Sequence, residues 1–291
     1  MNGRSVLVAF AALTGLASAA SAQFTITPGG ANSGIGTFQN GVVPSGITGT
    51  GSATANLRPG NATSTPDSLF QAWWWFRGPG DTREFAFGNG ASGSLSVSGV
   101  LVGDNTGNLD TGGYDFIVTN SGYSFTSAQR WQIFNPSNTA GTNVQVLASN
   151  TITNTGGSAA TFSLFYYMDF DVGAATTNSA SLVGPNTMSI SGGSGNVVEW
   201  AGVGADAYQV TTYSTLRGLL ANAFVDDLNN TGLPFNSADF TGAFQWNITL
   251  DPGASITLYS GFTLNGPALP APGAGLLLGG AGLLALRRRR A

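Results

Sequence analysis

The feature that most constrains the fold is a two-residue alternation of apolar and polar side chains, in short segments that turns separate. In residues 162–170 every even position is apolar, and the odd positions become polar towards Asp169 and Asp171. Residues 244–250 alternate in the same way, and a turn of sequence Asp-Pro-Gly-Ala follows. Successive side chains of a β-strand point to opposite faces, so this pattern predicts strands. We interpret 244–250 and 256–264 as a β-hairpin that closes the domain.

Further strands are expected along the whole chain after residue 68, and the spacing of apolar residues typical of a helix occurs in residues 215–228. About a dozen short strands without alternating helices indicate antiparallel pairing. The sequence therefore predicts an all-β fold: a two-sheet antiparallel β-sandwich, jelly-roll-like, with at most one short helix. The other predicted strands are 69–76, 83–87, 94–102, 114–119, 123–134, 144–154, 179–190, 196–203 and 208–213.

The N-terminus has the organisation of a secretory signal peptide. Arg4 precedes an apolar run, and the small residues Ala20 and Ala22 lie just before Gln23. This order is typical of a segment that signal peptidase removes, here after Ala22. We therefore divide the chain into a signal peptide (1–22), a Gly/Ser/Thr-rich entry segment with edge strands (23–66), a β-sandwich domain (67–266) and a C-terminal sorting segment (268–291).

The C-terminal segment contains three successive parts. A proline-containing motif precedes an apolar run over residues 273–286, which is short against the roughly 20 residues of a spanning helix. A cluster of arginines follows, and such a cluster stays on the cytoplasmic side of a membrane. We interpret the segment as a transient membrane stop. The motif is Pro270, Ala271 and Pro272, and the cluster is Arg287, Arg288, Arg289 and Arg290.

This tail resembles the PEP-CTERM sorting signal of bacterial surface proteins, with Ala271 in place of the glutamate of the motif. The resemblance covers residues 270–291 alone. It implies an exosortase-type membrane protease as partner, and delivery to the cell surface or to an exopolysaccharide matrix. The mature domain is not assigned to a family by this resemblance.

The composition excludes several kinds of site. The chain has no Cys, no His and no Lys. Ser-His-Asp and cysteine nucleophiles, Schiff-base lysines, disulfides and zinc sites built on His or Cys are therefore excluded. Without its two ends the chain has five arginines against 14 acidic residues, a net charge of −9. This charge argues against nucleic acid as a partner and makes a neutral polysaccharide a better ligand than an acidic one.

Three consecutive tryptophans, Trp73, Trp74 and Trp75, are the candidate glycan-binding residues. Aromatic faces suit stacking on sugar rings. On a strand, Trp74 points away from the other two. Two interpretations stay open: a strand buried on both faces, or a strand with one face that binds sugar.

Acidic residues suggest two further kinds of site. Asp104, Asn108 and Asp110 have oxygen ligands at short spacing, and we keep them as a candidate Ca²⁺ site, the one cofactor considered. Asp169 and Asp171 lie about 6.6 Å apart along one strand face, a separation that glycoside hydrolysis permits.

We expect an exported protein of structural or adhesive type, without enzymatic activity. The alternatives are a carbohydrate-binding module with an aromatic platform or, less favoured, a carboxylate-dependent glycoside hydrolase.

Overall fold

The computed structural model describes residues 22–26, 37–42, 55–58, 66–87, 94–102, 109–134 and 143–266, most of them in strands. The predicted all-β class is confirmed. The strands are β1 Ala22–Ile26, β2 Thr37–Val42, β3 Ala55–Arg58, β4 Gln71–Arg77, β5 Phe85–Ala86, β6 Ser94–Val102, β7 Leu109–Thr119, β8 Ser124–Phe134, β9 Val144–Asn154, β10 Ala160–Asp169, β11 Asn178–Gly184, β12 Thr187–Ser191, β13 Val197–Val203, β14 Ala207–Thr212, β15 Phe235–Ala238, β16 Phe240–Leu250 and β17 Ser255–Leu264, and the helix is α1 Thr215–Ala221.

Two large antiparallel sheets form the sandwich. One has five strands in the order β14-β16-β10-β4-β5, and the other has nine in the order β15-β11-β12-β13-β17-β9-β8-β7-β6. A small third sheet has the order β1-β2-β3. Strand β10 lies at the centre of the five-stranded sheet, between β4 and β16, so its end determines which side chains meet at that edge.

The main core lies between the two large sheets. The even positions of β10 fill it, as their alternation predicts, together with Trp74 of β4 and Trp131 of β8. Trp74 stacks on Tyr166 with ring centroids 4.4 Å apart. Burying such large aromatic side chains supplies much of the stability that a chain without disulfides requires.

A second, smaller core covers the outer face of the five-stranded sheet. Trp73, Trp75 and Tyr167 point to this face, and Leu216 and Leu220 of α1 pack on it. The helix is shorter than the predicted window because Asn222 is extended and ends it. The five-stranded sheet is therefore buried on both faces, except at its polar ends.

The predicted closing hairpin is wrong. A turn does follow residue 250, with the amide of Ala254 bonded to the carbonyl of Asp251 at 2.9 Å. However, β16 pairs with β10 and β14, while β17 pairs with β9 and β13. The turn therefore takes the chain from one sheet to the other instead of joining two paired strands.

Candidate functional site

Three aspartates meet at one edge of the five-stranded sheet. Asp169 is the last residue of β10, Asp171 follows it, and Asp239 directly precedes β16. Because β10 and β16 are antiparallel, with Asp169 opposite Thr241, the end of one strand meets the beginning of the other. One carboxylate oxygen from each aspartate lies within 4.8 Å of the other two. We call these three residues the acid cluster.

The acid cluster differs from the sequence prediction in two respects. Asp171 lies beyond the end of β10, in a turn where its carbonyl accepts the amide of Ala174 at 2.7 Å, and so does not continue the strand face. Asp239 was missed by the sequence analysis. The available signal was an acid directly before a strongly alternating segment, but only the pairing of β10 with β16 shows that it joins the other two.

Burial and mutual repulsion change the charge of the cluster. Burial, with smaller contributions from Asp171 and Asp239, raises the pKa of Asp169 to about 8. Burial and the charges of Asp239 and Asp67 raise the pKa of Asp171 to about 6. Burial also raises the pKa of Asp239, the most exposed of the three. Near neutral pH the cluster therefore contains the protonated carboxyl group of Asp169 beside the ionised one of Asp171.

Polar atoms without partners surround the buried aspartate. Oδ2 of Asp169, Oε1 of Gln71 and the hydroxyl of Tyr167 are buried, and none has a hydrogen-bond partner among the described residues. Gln71 is the cross-strand neighbour of Asp169 in β4. Buried polar atoms are nearly always hydrogen-bonded, so each unpaired one requires an explanation such as a catalytic role or a bound water or ion. Here they lie on the same sheet face as the acid cluster.

The arrangement has two chemical capabilities. A protonated and an ionised carboxyl group close together can donate and accept protons on one substrate. Three carboxylate oxygens this close could also surround a hard cation. The guanidinium of Arg217 already offsets part of the negative charge, since it lowers the pKa of Asp169 against the larger effect of burial.

The tryptophans predicted to bind glycan are buried. Trp73, Trp74 and Trp75 are each 1% exposed. Trp73 and Trp75 do share a face, as the alternation predicts, but α1 covers that face. Stacking requires an accessible ring, so the aromatic-platform hypothesis is wrong for these residues, and the alternative of a strand buried on both faces is correct.

The candidate Ca²⁺ site is only partly described. Asp104 and Asn108 lie outside the described residues. Asp110, at the beginning of β7, is buried, and its carboxylate accepts the amide of Thr111 at 2.8 Å. The three-residue site stays a prediction.

The predicted processing sites also lie largely outside the described residues. These are Ala20, Pro270, Ala271, Pro272 and the arginines Arg287 to Arg290, while Ala22 and Gln23 are the first residues of β1. Among the residues that the structure describes, no helix is long and apolar enough to cross a membrane.

The comparisons with known proteins relate to the fold. No protein-family model and no curated protein matches the sequence. Similar solved structures include a candidate aldose 1-epimerase from Escherichia coli K12, with 10% identity over 84% of this chain and 99% of that one, at a TM-score of 0.46. A galactose mutarotase-like protein from Lactobacillus casei has 12% identity over 84% of this chain and 100% of that one, at a TM-score of 0.42. A bacterial glucoamylase complexed with acarbose has 10% identity over 84% of this chain, at a TM-score of 0.43. This chain spans only 33% of the length of that glucoamylase.

The expectation of a protein without enzymatic activity is corrected, because the acid cluster brings together the carboxyl groups that an acid–base catalyst requires. The similar structures show a likeness of fold alone, at identities of 10–12%. The expectation failed because it took the absence of His, Cys and Lys as evidence against catalysis, although carboxyl groups alone can supply both an acid and a base.

Proposed function

We propose that this protein is a carbohydrate-active enzyme that interconverts the anomers of a sugar at the acid cluster. The observation that carries the proposal is the meeting of Asp169, Asp171 and Asp239 within 4.8 Å at the edge of a sheet. Their pKa values of about 8 for Asp169 and about 6 for Asp171 support it, because they keep a proton donor and a proton acceptor together at neutral pH.

The spacing favours chemistry on two oxygens of one carbon atom. Glycoside hydrolases place their two carboxyl groups about 5–5.5 or 6.5–9.5 Å apart, on opposite sides of the bond that breaks. One oxygen from each carboxyl group of the acid cluster lies within 4.8 Å of the other two, just below the shorter of these separations. The hydroxyl oxygen and the ring oxygen of a cyclic sugar share the anomeric carbon, so a compact acid–base group can reach both.

Each proton that the two aspartates exchange with the sugar during ring opening is returned during ring closure. The half-buried carboxylate of Asp171 accepts the proton of the anomeric hydroxyl while the bond between the anomeric carbon and the ring oxygen breaks. The ring oxygen takes up the proton that Asp169 holds, through a water molecule since Asp169 is buried. After rotation of the aldehyde the reverse transfers close the ring as the other anomer and restore both carboxyl groups.

The test is anomer exchange measured by NMR or polarimetry, with freshly dissolved glucose, galactose and xylose and the purified full chain. Asp171→Asn is expected to lower kcat/KM by about 10²–10⁴-fold, the usual contribution of a general acid or base. Asp251→Asn is the matched control, because Asp251 is an exposed aspartate at the opposite end of β16.

Three results would overturn the proposed function. One is exchange no faster than in buffer for every sugar, and another is an Asp171→Asn variant as active as Asp251→Asn. Release of reducing sugar from neutral oligosaccharides, without accelerated anomer exchange, would instead assign glycoside hydrolysis to the site.

We also propose that the enzyme is exported and sorted to the cell surface or matrix. The N-terminal pattern ending at Ala22 and the tail from Pro270 to Arg290 support this. Mass spectrometry of the extracellular protein is expected to find Gln23 at the N-terminus and no arginine cluster at the C-terminus. An extracellular form that keeps Met1 or Arg287 would exclude the processing.

A further inference from the structure

One exposed aromatic ring lies beside the acid cluster. Phe70 directly precedes β4 and is 45% exposed, in contrast to the three tryptophans that follow in the same strand. Its amide donates to the carbonyl of Asp169 at 2.9 Å, and its carbonyl accepts the amide of Ala55 at 3.0 Å. The backbone of Phe70 is therefore fixed on both sides while the ring faces solvent.

A second aromatic residue, Tyr213, is bonded to another member of the cluster. The amide of Tyr213 donates to the carbonyl of Asp239 at 3.0 Å. The ring of Tyr213 meets that of Phe70 edge-on, with centroids 6.1 Å apart. Its hydroxyl accepts a hydrogen bond from Nη1 of Arg217 at 3.3 Å. The two aromatic residues are thus connected through the backbone to two members of the acid cluster and through their rings to each other.

We propose that the exposed ring of Phe70, with Tyr213 set edge-on against it, forms the platform on which a neutral pyranose ring packs when its hydroxyl groups meet the acid cluster. This inference rests on the proposed function for the reaction at the site, and adds the residues that hold the substrate and the class of sugar they accept. A single exposed apolar residue is ordinary on a protein surface. Phe70 differs because it adjoins acceptors that sugar hydroxyls require.

The chemistry of the two surfaces matches that of a sugar. One face of a pyranose carries C–H groups that pack on an aromatic ring, and its hydroxyls donate hydrogen bonds to carboxylates. Asp67 also raises the pKa of Asp171, although its carboxylate is paired with Arg58 at 3.3 Å. Arg217 supplies an opposing positive charge. Without the two ends of the chain the protein has a net charge of −9, which repels uronic acids, so a neutral sugar is the expected substrate.

The experiment compares Phe70→Ser with Phe224→Ser in the full chain. Phe224 is more exposed, at 74%, but belongs to the loop after α1, and its amide is bonded to the side chain of Asn222. Saturation-transfer NMR with glucose, galactose, xylose and glucuronate measures binding, and anomer exchange measures KM and kcat. We expect Phe70→Ser to weaken neutral-sugar binding and raise KM about tenfold, while kcat changes little. Phe70→Tyr should keep neutral-sugar binding and KM close to their wild-type values. Phe224→Ser should change neither the binding nor KM.

The outcomes separate this proposal from the proposed function. Sugar binding that depends on Phe70, without turnover, supports the platform and overturns the reaction. Turnover with a KM that Phe70→Ser leaves unchanged overturns the platform and keeps the reaction. Glucuronate bound as tightly as glucose, or no sugar bound by the wild type, also overturns the platform. Unchanged thermal unfolding of Phe70→Ser excludes a folding defect as the cause of lost binding.

Discussion

Trp131 and Tyr166 connect the two large sheets through a buried hydrogen bond, in which the indole nitrogen of Trp131 donates to the hydroxyl of Tyr166 at 2.9 Å. Trp131 belongs to β8 of the nine-stranded sheet and Tyr166 to β10 of the five-stranded sheet. The sandwich core is therefore held by a specific polar contact as well as by apolar packing.

Removing this contact from one side is expected to destabilise the fold. Tyr166→Phe removes the hydroxyl to which the Trp131 N–H donates, and the loss of this buried hydrogen bond should cost about 0.5–1.5 kcal/mol of unfolding free energy. Trp131→Phe removes the donor of the same bond and some side-chain volume from the core. The double variant should be more stable than the sum of the two single effects predicts, because both single variants lose the same hydrogen bond. Urea denaturation measures all three, and simple additivity would contradict the prediction.

Trp73 and Trp75 provide a matched pair for the contribution of one hydrogen bond. Both are 1% exposed, but Nε1 of Trp73 donates to the carbonyl of Phe87 at 3.0 Å, whereas Nε1 of Trp75 has no partner among the residues that the structure describes. Trp73→Phe should therefore cost about 0.5–1.5 kcal/mol more than Trp75→Phe. Chemical denaturation checks the difference, and an equal or reversed order would be evidence against the assigned bond.

The stability of the protein should fall as pH rises from about 4 to about 8. The pKa of an aspartate in the unfolded chain is near 3.8, whereas burial raises the pKa of Asp169 to about 8 in the folded state. Between these two values the folded state binds a proton that the unfolded chain has released, so the stabilisation is complete below pH 4 and is lost as pH approaches 8. Each such proton changes the unfolding free energy by at most about 1.4 kcal/mol per pH unit. Asp169→Asn should flatten this dependence. Equal slopes for wild type and Asp169→Asn in pH-dependent urea denaturation would exclude the assignment.

The rate of anomer exchange should follow a bell-shaped pH profile. Activity requires Asp171 ionised and Asp169 protonated, so the limbs are expected near pH 6 and pH 8. Asp169→Asn should lower kcat and remove the upper limb, because an amide does not titrate. Steady-state rates in buffers of constant ionic strength test this. A profile flat across this interval in the wild type would show that these carboxyl groups do not act as acid and base.

Two glycines should respond to alanine in opposite directions. A Cβ on Gly202 of β13 would lie 2.5 Å from the ring of Phe244 in the facing sheet, so Gly202→Ala should cost about 1–3 kcal/mol. Gly218 in α1 has open space around it, and Gly218→Ala should stabilise by about 0.5–1 kcal/mol. Thermal unfolding measures both, and a stabilising Gly202→Ala would show that the sheets are not this close.

The sequence alone was sufficient for the class of fold and for the face on which many side chains lie. Alternation in residues 162–170 placed Tyr166 and Tyr167 on opposite faces of one strand, and the structure places them in two different cores. It also indicated that the second face becomes polar at Asp169. These properties depend on the two-residue period of a strand, which is local and can be identified in a single segment.

The choice of neighbouring strands depended on the tertiary structure. Alternation does not specify which strand lies beside another, because pairing follows from burial across the whole sandwich. The pairing of β10 with β16 brings Asp239 to Asp169, 70 positions earlier in the chain, and the same sheet order separates β16 from β17. The burial of an aromatic ring likewise depends on which elements the tertiary structure packs against it. Trp73 and Trp75 are buried because α1 lies over them, whereas Phe70, only three residues from Trp73, lies beyond that cover and keeps its ring in solvent.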